Sequence, residues 1–324
     1  MTIVVTGASG FLGLPIIRAL AAVGHIGIAA SRREVRDLPL GWTWTARDVL
    51  LRGRGLIGGL DALIHLEVKQ HVPSPMPKDV AEFEEVNVQG TAEWLKWCGD
   101  REIRRVIYFS SIKAVGDSTA VQDELATASP ATPYGYSKRK AEDSIAAWAA
   151  HKPSRQATIL RPAVIYGPGN GANIFSMVDA IHRRRFFLIG ANNNVKSLVS
   201  IENIAAAAAF FVQRRCAGCE IFNVTDRDSY SVREVAFMVA SSLGRHSGVP
   251  SLPLPAAKAG ALLGSAIERL TRRQFPLNPS RLKAMTETTH FTCRKLLDAG
   301  FTHPQSTHEG LGEMVEWYKG ISAP

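Results

Sequence analysis

The 324-residue sequence has little cysteine and no long apolar run, and both absences narrow the class of protein. Four cysteines, Cys98, Cys216, Cys219 and Cys293, are too few for a disulfide framework in a chain of this length. No run of about 18 uncharged apolar residues occurs, so a membrane-spanning helix is not expected. The first apolar run directly follows Met1, without the basic and apolar segments of a signal peptide. These features predict a cytoplasmic protein.

Neither a metal site nor a nucleic-acid partner is expected. Cys216 and Cys219 have the spacing of a metal or redox pair, but no second Cys or His pair follows at a zinc-like distance. The formal net charge of +9 and the pI of about 9.6 suit anionic partners. The arginine clusters, at Arg32-Arg33, Arg183–Arg185 and Arg272-Arg273, are short, dispersed and without interleaved aromatic residues, which disfavours nucleic acid.

A glycine-rich turn near the N-terminus, Thr6-Gly-Ala-Ser-Gly-Phe-Leu-Gly13, is the strongest local signal. It lies between a β-branched apolar run, predicted as a buried strand, and a stretch with helical spacing that ends at Gly24. In this context Gly7 permits the tight turn, Gly10 lets the backbone approach a pyrophosphate, and Gly13 allows the helix and strand to pack closely. Free N–H groups at the helix start would hold the phosphates. The turn therefore predicts a dinucleotide site.

The end of the second predicted strand, Ile26–Ala30, bears on which dinucleotide binds. An acidic residue there would bind the adenosine ribose and repel a 2′-phosphate, whereas a small polar residue followed by arginine would attract it. Ser31, Arg32 and Arg33 follow this strand, and no acid occurs before Glu34. We expect NADP(H) in preference to NAD(H), with Ser31 and Arg32 as contacts. The alternative is that the arginines only form an exposed helix start.

Predicted strands and helices alternate through the first half of the chain. The further strands are Trp42–Ala46, Ala62–Leu66, Val106–Phe109 and Ala157–Leu160, and the helices include Ala81–Cys98 and Tyr134–Ala150. This alternation predicts an α/β fold with a Rossmann-type, doubly wound parallel sheet. Such sheets bind ligands beyond the carboxyl ends of their strands, so the residues that follow those ends should converge on one rim: Gly7, Ser31, Glu67, Ser111 and Pro162.

The composition changes after Pro162, which indicates a smaller, interleaved C-terminal substrate-binding domain. The expected division is a NADP-binding Rossmann domain over 1–166, with segments near 196–224 returning to the sheet, and a substrate-binding domain over 167–195 and 225–324. A helix predicted over Ala256–Leu270 is amphipathic. Packing at the protein surface explains this pattern, and docking at a membrane interface is the alternative.

Tyr134-Gly-Tyr-Ser-Lys138 is the second informative segment. On a helix, Tyr134 and Lys138 share a face, and a lysine ammonium there would lower the pKa of the phenol toward neutrality. Tyrosine can then exchange a proton with a substrate hydroxyl while hydride moves to or from a nicotinamide ring. Ser111, at the end of the fifth predicted strand, can polarise the same oxygen. These residues predict hydride transfer at a carbon that bears a hydroxyl or keto group.

Taken together, the motifs resemble the extended short-chain dehydrogenase/reductase family, the NAD(P)-dependent sugar-nucleotide epimerases, reductases and dehydratases. The matching segments, in family order, are Thr6–Gly13, Asp48-Val49, His65-Leu66, Asn87–Thr91, Ser110-Ser111, Tyr134–Lys138, Arg161-Pro162, Tyr166–Gly169 and Ser197–Asn203. The resemblance implies Ser111, Tyr134 and Lys138 as catalytic residues. The cofactor-binding residues that we expect are Gly7, Ser9, Gly10, Phe11, Leu12, Gly13, Ser31, Arg32, Asp48, Val49, Leu66, Tyr134, Lys138 and Pro162.

The residues after Ser111 distinguish among the reactions of this family. The resemblance implies that 4,6-dehydratases carry an Asp-Glu pair here, whereas this chain has Ile112 and Lys113, which cannot supply that acid and base. The segment Ser110–Lys113 resembles 4-keto reductases and 4-epimerases that act on UDP-amino-sugars in bacterial surface-polysaccharide synthesis. The expected function is therefore NADP(H)-dependent chemistry at C4 of a UDP-sugar, with 4-keto reduction favoured and 4-epimerisation as the alternative.

The resemblance also implies substrate contacts, which follow the family pattern less closely. They are Lys69, Asn170, Asn173, Lys196 and Arg281, and Lys196 stands where the family usually has an arginine facing the diphosphate. Glu67 departs from the small residue that is usual beside the cofactor. It could crowd the cofactor, point away or act on substrate.

Two further readings remain open from the sequence. One is a non-catalytic NADP-binding sensor or scaffold, which Glu67 mildly favours and the intact Ser111, Tyr134 and Lys138 oppose. The other is a ketone reductase for uncharged substrates, against which the basic residues Lys69, Lys196 and Arg281 argue. The resemblance also implies a homodimer, formed through the helix that bears Tyr134 and the helix before it.

Overall fold

The computed structural model describes residues 1–53, 59–72, 75–190, 193–245, 248–271 and 279–322. The strands are β1 (Thr2–Thr6), β2 (Ile26–Ser31), β3 (Trp42–Ala46), β4 (Ala62–His65), β5 (Arg105–Phe109), β6 (Gln156–Pro162), β7 (Val164–Tyr166), β8 (Leu188–Ile189), β9 (Leu198–Ser200), β10 (Gly218–Val224) and β11 (Ser251–Leu252). The helices are α1 (Gly13–Ala22), α2 (Arg47–Arg52), α3 (Pro77–Glu82), α4 (Gly90–Asp100), α5 (Pro133–Ala150), α6 (Asn173–His182), α7 (Ile201–Gln213), α8 (Val232–Ser242), α9 (Leu254–Thr271), α10 (Pro279–Thr286), α11 (Arg294–Asp298) and α12 (Thr307–Ser322).

Seven parallel strands form the main sheet, in the order β10-β6-β5-β4-β1-β2-β3. The order reverses between β1 and β4, which is the topological switch point of a doubly wound fold. Thr6 at the end of β1 is paired with Ala30 and with His65, so the carboxyl ends of three strands lie side by side. The prediction of a Rossmann-type parallel sheet, with the strand ends converging on one rim, is confirmed.

Successive residues of the central strands serve two separate cores. Ile3 and Val5 join the core under α1 and α7, whereas Val4 joins the core under α4 and α5. All three are fully buried. A strand that is covered on both faces has few positions for polar side chains, which explains the continuous apolar runs of the sequence.

A third core lies in the C-terminal part, between α6, α8 and α12. Beside it, β8 pairs with β11, and β7 pairs with β9. The segment around residues 196–224 contributes α7 and β10, and β10 extends the main sheet next to β6. Within the described part of the chain, no helix combines the length and apolarity that crossing a membrane would require.

The helix predicted over Ala81–Cys98 is divided into three pieces. The chain runs through α3, a π-helical segment Phe83–Gln89 and α4. Apolar spacing does not reveal a short π-helical insertion, because it replaces i→i+4 with i→i+5 hydrogen bonds over about one turn and the α-helical pattern resumes after it. The π-helical segment includes the buried Asn87, which bears on the site described next.

Candidate active site

The glycine turn leaves room for a phosphate-bearing ligand at the start of α1. Gly7 has φ +63°, and a Cβ there would lie 2.8 Å from the backbone N of Glu67. A Cβ on Gly13 would lie 2.0 Å from the carbonyl oxygen of Ala8, so only glycine allows this approach of helix and strand. In the described residues, no backbone hydrogen bond uses the N–H of Phe11 or Leu12. Both donors are therefore available to a pyrophosphate, and the residues present fit a bound dinucleotide.

The adenosine end of this site agrees only in part with the expected contacts. Ser31 is 3% exposed, and its hydroxyl donates to the carbonyl of Arg33 (2.6 Å) and accepts from Trp44 Nε1 (3.2 Å). The Ser31 hydroxyl proton is thus used inside the turn in this structure, and Ser31 as a cofactor contact remains a prediction. Arg32 is exposed at the same strand end and remains a candidate.

Asp48 and Val49, the expected neighbours of the adenine ring, lie in the first turn of α2. Val49 is 58% exposed, which leaves a surface that a planar ring could cover. The Asp48 carboxylate is exposed and lies 3.3 Å from the guanidinium of Arg47. Both residues therefore remain candidates for the adenine contact.

Glu67 does not project into the site. Its carboxylate accepts two hydrogen bonds from Arg47 Nε (2.8 and 3.0 Å) and one from Trp94 Nε1 (2.9 Å). Arg47 also binds the carboxylate of Glu93 (2.7 Å). Of the alternatives that the sequence left open for Glu67, the structure supports the one in which its side chain points away from the cofactor. The backbone of residues 66–67, including Leu66, still lies against Gly7.

The catalytic residues of the prediction come together at the ends of β5 and α5. Proline at the first position of α5 and the Thr132 hydroxyl, which accepts from the N–H of Gly135 (3.1 Å), start the helix. A Cβ on Gly135 would lie 2.4 Å from the carbonyl of Lys113, so this glycine lets α5 approach the chain beyond β5. Tyr134 is thereby placed within hydrogen-bond reach of Ser111.

Lys138 lies one turn further along α5 and is 2% exposed. Its ammonium donates to the carbonyl of Phe109 (2.7 Å) and to the hydroxyl of Tyr108 (3.1 Å), and it lies 4.6 Å from the centre of the Tyr108 ring. Tyr108 was not singled out from the sequence, because a tyrosine in an apolar strand normally indicates only the core.

The protonation states differ from the expectation. Burial raises the pKa of Tyr134 to about 12, partly offset by the hydrogen bond with Ser111. Burial lowers the pKa of Lys138 to about 7, against the opposing effect of the Glu142 carboxylate. The prediction that Lys138 lowers the pKa of Tyr134 toward neutrality is wrong for this structure, since the ammonium binds Phe109 and Tyr108 instead. At neutral pH Tyr134 therefore holds its proton.

A buried polar chain connects this region to the glycine turn. Thr91 gives its hydroxyl proton to the carbonyl of Asn87 (2.7 Å), so it accepts from His65 Nε2 (3.1 Å). His65 Nδ1 then accepts from the hydroxyl of Thr6 (2.7 Å). The His65 ring stacks on Tyr108, with centroids 5.7 Å apart. Burial lowers the pKa of His65 to about 3, so the ring is neutral and acts as a fixed link between the strand ends.

The π-helical segment has a specific use. It places the Asn87 amide where it donates to Ser137 Oγ of α5 (2.8 Å) and accepts from the backbone N–H of Lys69 (2.7 Å). One side chain thus fixes the chain beyond β4 to the helix that carries Tyr134.

A buried ion pair fixes α5 against the sheet from its other side. Glu142 accepts from Arg161 Nε (2.9 Å) and Nη2 (2.6 Å), and its Oε1 also accepts from the hydroxyl of Ser110 (2.5 Å). The Arg161 and Glu142 side chains are each 2% exposed. Pro162, expected near the cofactor, is the buried last residue of β6, directly after this arginine. The pair joins the ends of β5 and β6 to the catalytic helix.

Two of the expected substrate contacts are occupied by other partners. The Lys69 ammonium binds Glu82 (2.5 Å) and Asp79 (3.3 Å), so its charge is compensated within the protein. The Asn170 amide donates to the carbonyl of Ile165 (2.7 Å), and its oxygen accepts from the N–H of Ala172 (2.9 Å). Both side chains stabilise the local fold in this structure, and their roles as substrate contacts remain predictions.

The loop that contains Asn170 still reaches the cofactor rim. A Cβ on Gly169 would lie 3.8 Å from the Phe11 ring of the glycine turn. Asn173, the first residue of α6, is exposed and remains a candidate. Arg281 lies in α10, but its side chain is outside the described residues, as are Arg272 and Arg273.

Lys196 keeps the character expected of an anion contact. It is half-buried, and its ammonium donates to the neutral hydroxyl of Thr289 (3.2 Å). Burial and the positive charge of Lys113 lower its pKa. Lys113 itself binds Asp117 (2.7 and 3.0 Å). An anionic group in addition to Asp117 would relieve the repulsion between the ammonium groups of Lys113 and Lys196.

His71 is a site residue that sequence reasoning missed. Its ring meets Tyr134 edge-on, with centroids 5.7 Å apart, and partial burial together with the charge of Lys113 lowers its pKa. No motif marks it, because it lies in a polar loop where histidine is ordinary. His71 therefore lies beside Tyr134, and the charge of Lys113 acts on both His71 and Lys196.

Comparisons with known proteins identify the family to which the chain belongs. The family described as "NAD dependent epimerase/dehydratase family" matches residues 3–225. The chain is similar to an N-acetyl-alpha-D-glucosaminyl-diphospho-ditrans,octacis-undecaprenol 4-epimerase of Escherichia coli O157:H7, with 26% identity over 97% of this chain and 94% of the relative. It is similar to a UDP-glucose 4-epimerase of Vibrio cholerae, with 26% identity over 83% and 85%. A solved structure titled "MoeE5 in complex with UDP-glucose and NAD" has 21% identity, a TM-score of 0.75 and 99% coverage of both chains.

Proposed function

Because this chain belongs to the NAD-dependent epimerase/dehydratase family, whose enzymes use a pyridine nucleotide, we propose that it interconverts the C4 epimers of a hexose carried on a diphosphate. The observation that carries this proposal is the position of the buried Tyr134 near Ser111 and one turn before Lys138, together with a glycine turn whose Phe11 and Leu12 N–H groups make no backbone hydrogen bond in the described residues. Two relatives that are named as 4-epimerases match this chain over most of their length, which supports epimerisation as the first candidate.

The proposed mechanism divides the work among three side chains. A bound pyridine nucleotide supplies the group that takes hydride from C4 and returns it. Ser111 holds the C4 oxygen of the sugar against Tyr134. Because the phenol keeps its proton at neutral pH, Tyr134 must first release that proton to solvent; the phenolate then accepts the hydroxyl proton during oxidation, and the phenol gives it back during reduction. Lys138, one helical turn away, fixes the end of β5 through its hydrogen bonds to Phe109 and Tyr108. Rotation of the keto sugar between the two transfers would invert C4.

We propose that Lys196 and Lys113 bind the diphosphate of the substrate. Both UDP-sugars and polyprenyl-diphosphate sugars carry this group, and the two relatives act on one class each by their names. The sequence favours a UDP-amino-sugar as the substrate. Such substrates would place the enzyme in surface-polysaccharide synthesis.

A 4-keto reductase is the second candidate, and one specific observation favours it. Tyr134 keeps its proton at neutral pH, so it is ready to donate to a keto oxygen without prior activation. NADP(H) would suit this reaction, and the exposed Arg32 supports that cofactor.

The fate of the cofactor separates the two reactions. Purified enzyme is mixed with a UDP-N-acetylhexosamine or with a UDP-4-keto-6-deoxy sugar, and the products and the reduced cofactor are measured. An epimerase gives a mixture of both C4 epimers with no net change in reduced cofactor. Stoichiometric consumption of NADPH with the keto sugar, and no epimer formation, would replace the first candidate with the second.

The proposed preference for NADP(H) has its own test. In a thermal-shift panel, NADP should stabilise the enzyme more than NAD, and Arg32→Gln should reduce the shift by NADP alone. Arg36→Gln is the matched control, because Arg36 is 82% exposed and follows on the same loop. Stabilisation by NAD but not by NADP would overturn the preference.

A further inference from the structure

Helix α9 presents apolar side chains to solvent on the side opposite its packing contacts. Ala257 and Ala261 are buried against the cluster that includes Ile189 of β8. On the other side, Leu262 and Leu263 are each 67% exposed. Two adjacent leucines exposed to this extent on one helix form an apolar patch, whereas singly exposed leucines are ordinary.

The exposed side of the first turns of α9 is almost free of charge. Pro255, Ala256 and Ala259 are exposed together with the two leucines, and we call these five residues the outer face of α9. Among the described side chains of the helix up to Ser265, Lys258 is the one charged group. A helix at an ordinary protein surface carries polar and charged residues on its outer side.

A basic segment lies directly beside this helix. A cleft of about 370 Å³ is lined by residues 184–187 and 250–252, that is, by Arg184, Arg185 and two phenylalanines on one side and the strand leading into α9 on the other. Phe187 also packs against the inner side of α9. Arg184 and Arg185 are exposed, and within the described ranges no ion pair is found for either of them.

The sequence around both segments lacks acidic residues. Residues 180–201 and 235–267 contain six Lys or Arg and no Asp or Glu. The six are Arg183, Arg184, Arg185, Lys196, Arg245 and Lys258. Much of the excess positive charge of the chain is therefore gathered around one apolar face.

Charge and apolar surface together select the occupant of this face. A second copy of the chain would bring the same positive charge against itself, which costs free energy. Nucleic acid offers phosphate but no apolar surface that would cover Leu262 and Leu263. An anionic lipid bilayer offers both, because its headgroups attract arginine and lysine while the acyl boundary accepts leucine.

We infer that the outer face of α9, flanked by Arg184 and Arg185, docks on the surface of an anionic lipid bilayer. The helix lies in the interface plane, with Leu262 and Leu263 inserted among the headgroups and the arginines at phosphate level. This docking goes beyond the proposed reaction and does not depend on it. It also gives a physical reason to include a polyprenyl-diphosphate sugar among the substrates to be tested.

The test is co-sedimentation of the full-length enzyme with vesicles. One set contains phosphatidylcholine alone, and the other contains phosphatidylcholine with phosphatidylglycerol. The enzyme should bind the anionic vesicles preferentially, and added salt should weaken the binding. The double variant Leu262→Gln/Leu263→Gln and the double variant Arg184→Gln/Arg185→Gln should each bind about tenfold more weakly or worse.

Matched controls separate docking from general stickiness. Leu40 and Leu125 are 99% and 91% exposed, so Leu40→Gln/Leu125→Gln removes two even more accessible leucines elsewhere and should bind like the unaltered enzyme. Arg294→Gln does the same for an exposed arginine. Melting temperatures and turnover of a soluble UDP-sugar should be unchanged in all variants, since none of these residues belongs to the active site.

Three outcomes would overturn the inference. They are no binding to anionic vesicles, equal loss in the Leu40/Leu125 control, and a stable dimer in which Leu262→Gln/Leu263→Gln abolishes dimerisation instead of vesicle binding. Loss of turnover with every UDP-sugar would contradict the proposed function and leave the vesicle result intact. The two proposals can therefore fail separately.

Discussion

At the scale of single residues, most of the site's chemistry depends on burial. The motif Tyr134–Lys138 predicted which residues meet, and the structure brings Tyr134 to Ser111 as expected. The motif could not predict the pKa values of Tyr134 and Lys138, because these depend on how far the surrounding chain excludes water. The same limit explains Lys69 and Ser31, whose partners Glu82 and Trp44 each lie 13 residues away and are brought close by the fold. A motif identifies a side chain, but the fold decides whether that side chain is free.

The buried His65 predicts a specific dependence of stability on pH. Its folded pKa is about 3, below the ordinary value near 6.5, so the unfolded chain binds a proton that the native state does not. Stability should therefore fall as the pH drops from about 6.5 toward 3, by about 1.4 kcal/mol per pH unit from this group. The free energy of unfolding, measured in urea at about pH 7 and at about pH 5, should decrease between the two pH values in the unaltered enzyme. In His65→Gln this decrease should be smaller by roughly 2 kcal/mol.

The control for this prediction is His151→Gln. His151 is exposed, so its removal should leave the pH dependence as in the unaltered enzyme. Equal slopes in all three proteins would show that His65 is not the group responsible.

At the scale of the elements, the sequence predicted the positions of the strands better than it predicted the helix over Ala81–Cys98. The apolar runs predicted β1, β2 and β5 to within about a residue at each end, because strands buried on both faces have a distinct composition. The helix predicted over Ala81–Cys98 missed the π-helical segment, which exists because Asn87 reaches both Ser137 and Lys69. Tertiary hydrogen bonds of this kind leave no periodic signal.

The register of α5 on the sheet depends on the buried pair of Glu142 and Arg161. Glu142→Gln removes the charge and leaves Arg161 buried without its partner, which should lower the free energy of unfolding by about 3–5 kcal/mol. Glu84→Gln breaks an exposed ion pair with Lys140 of α5 (3.0 Å). It should lower the free energy of unfolding by less than about 1 kcal/mol.

Urea unfolding at neutral pH measures both variants. Similar small losses would mean that the buried pair does not hold the helix. A large loss for Glu142→Gln alone, with a weaker thermal shift by the cofactor, would confirm its positioning role.

At the scale of the whole molecule, one carboxylate joins the sheet region to the C-terminal helices. Asp226 accepts hydrogen bonds from the Tyr166 hydroxyl (2.8 Å), the Ser200 N–H (2.9 Å), the Asn203 amide (2.7 Å) and the Thr307 hydroxyl (2.9 Å). The sequence marked Tyr166 and Asn203 as family motifs, but it did not link them to Thr307, which lies far along the chain. The predicted division into two domains and the predicted homodimer through α5 and α4 remain predictions.

Asp226→Asn should loosen this junction. The new amide group places donors against donors, so two of the hydrogen bonds are lost and stability falls by about 1–3 kcal/mol. Amide hydrogen exchange should accelerate in α12 and around Tyr166, while β1 and β5 keep their protection. Asp228→Asn, an exposed neighbour, is the control. Uniform acceleration across the whole chain would contradict a local junction.

The central claim is that Tyr134 exchanges a proton with a sugar hydroxyl while C4 passes hydride to a bound pyridine nucleotide. The most direct measurement adds a UDP-hexose to enzyme saturated with the oxidised cofactor and follows the absorbance of reduced nicotinamide in a stopped flow. The unaltered enzyme and Tyr136→Phe, a change of an exposed tyrosine on the same helix, should show a transient rise. Tyr134→Phe should slow it by about 10² to 10⁴ with an unchanged melting temperature. An equal transient in Tyr134→Phe would contradict the account.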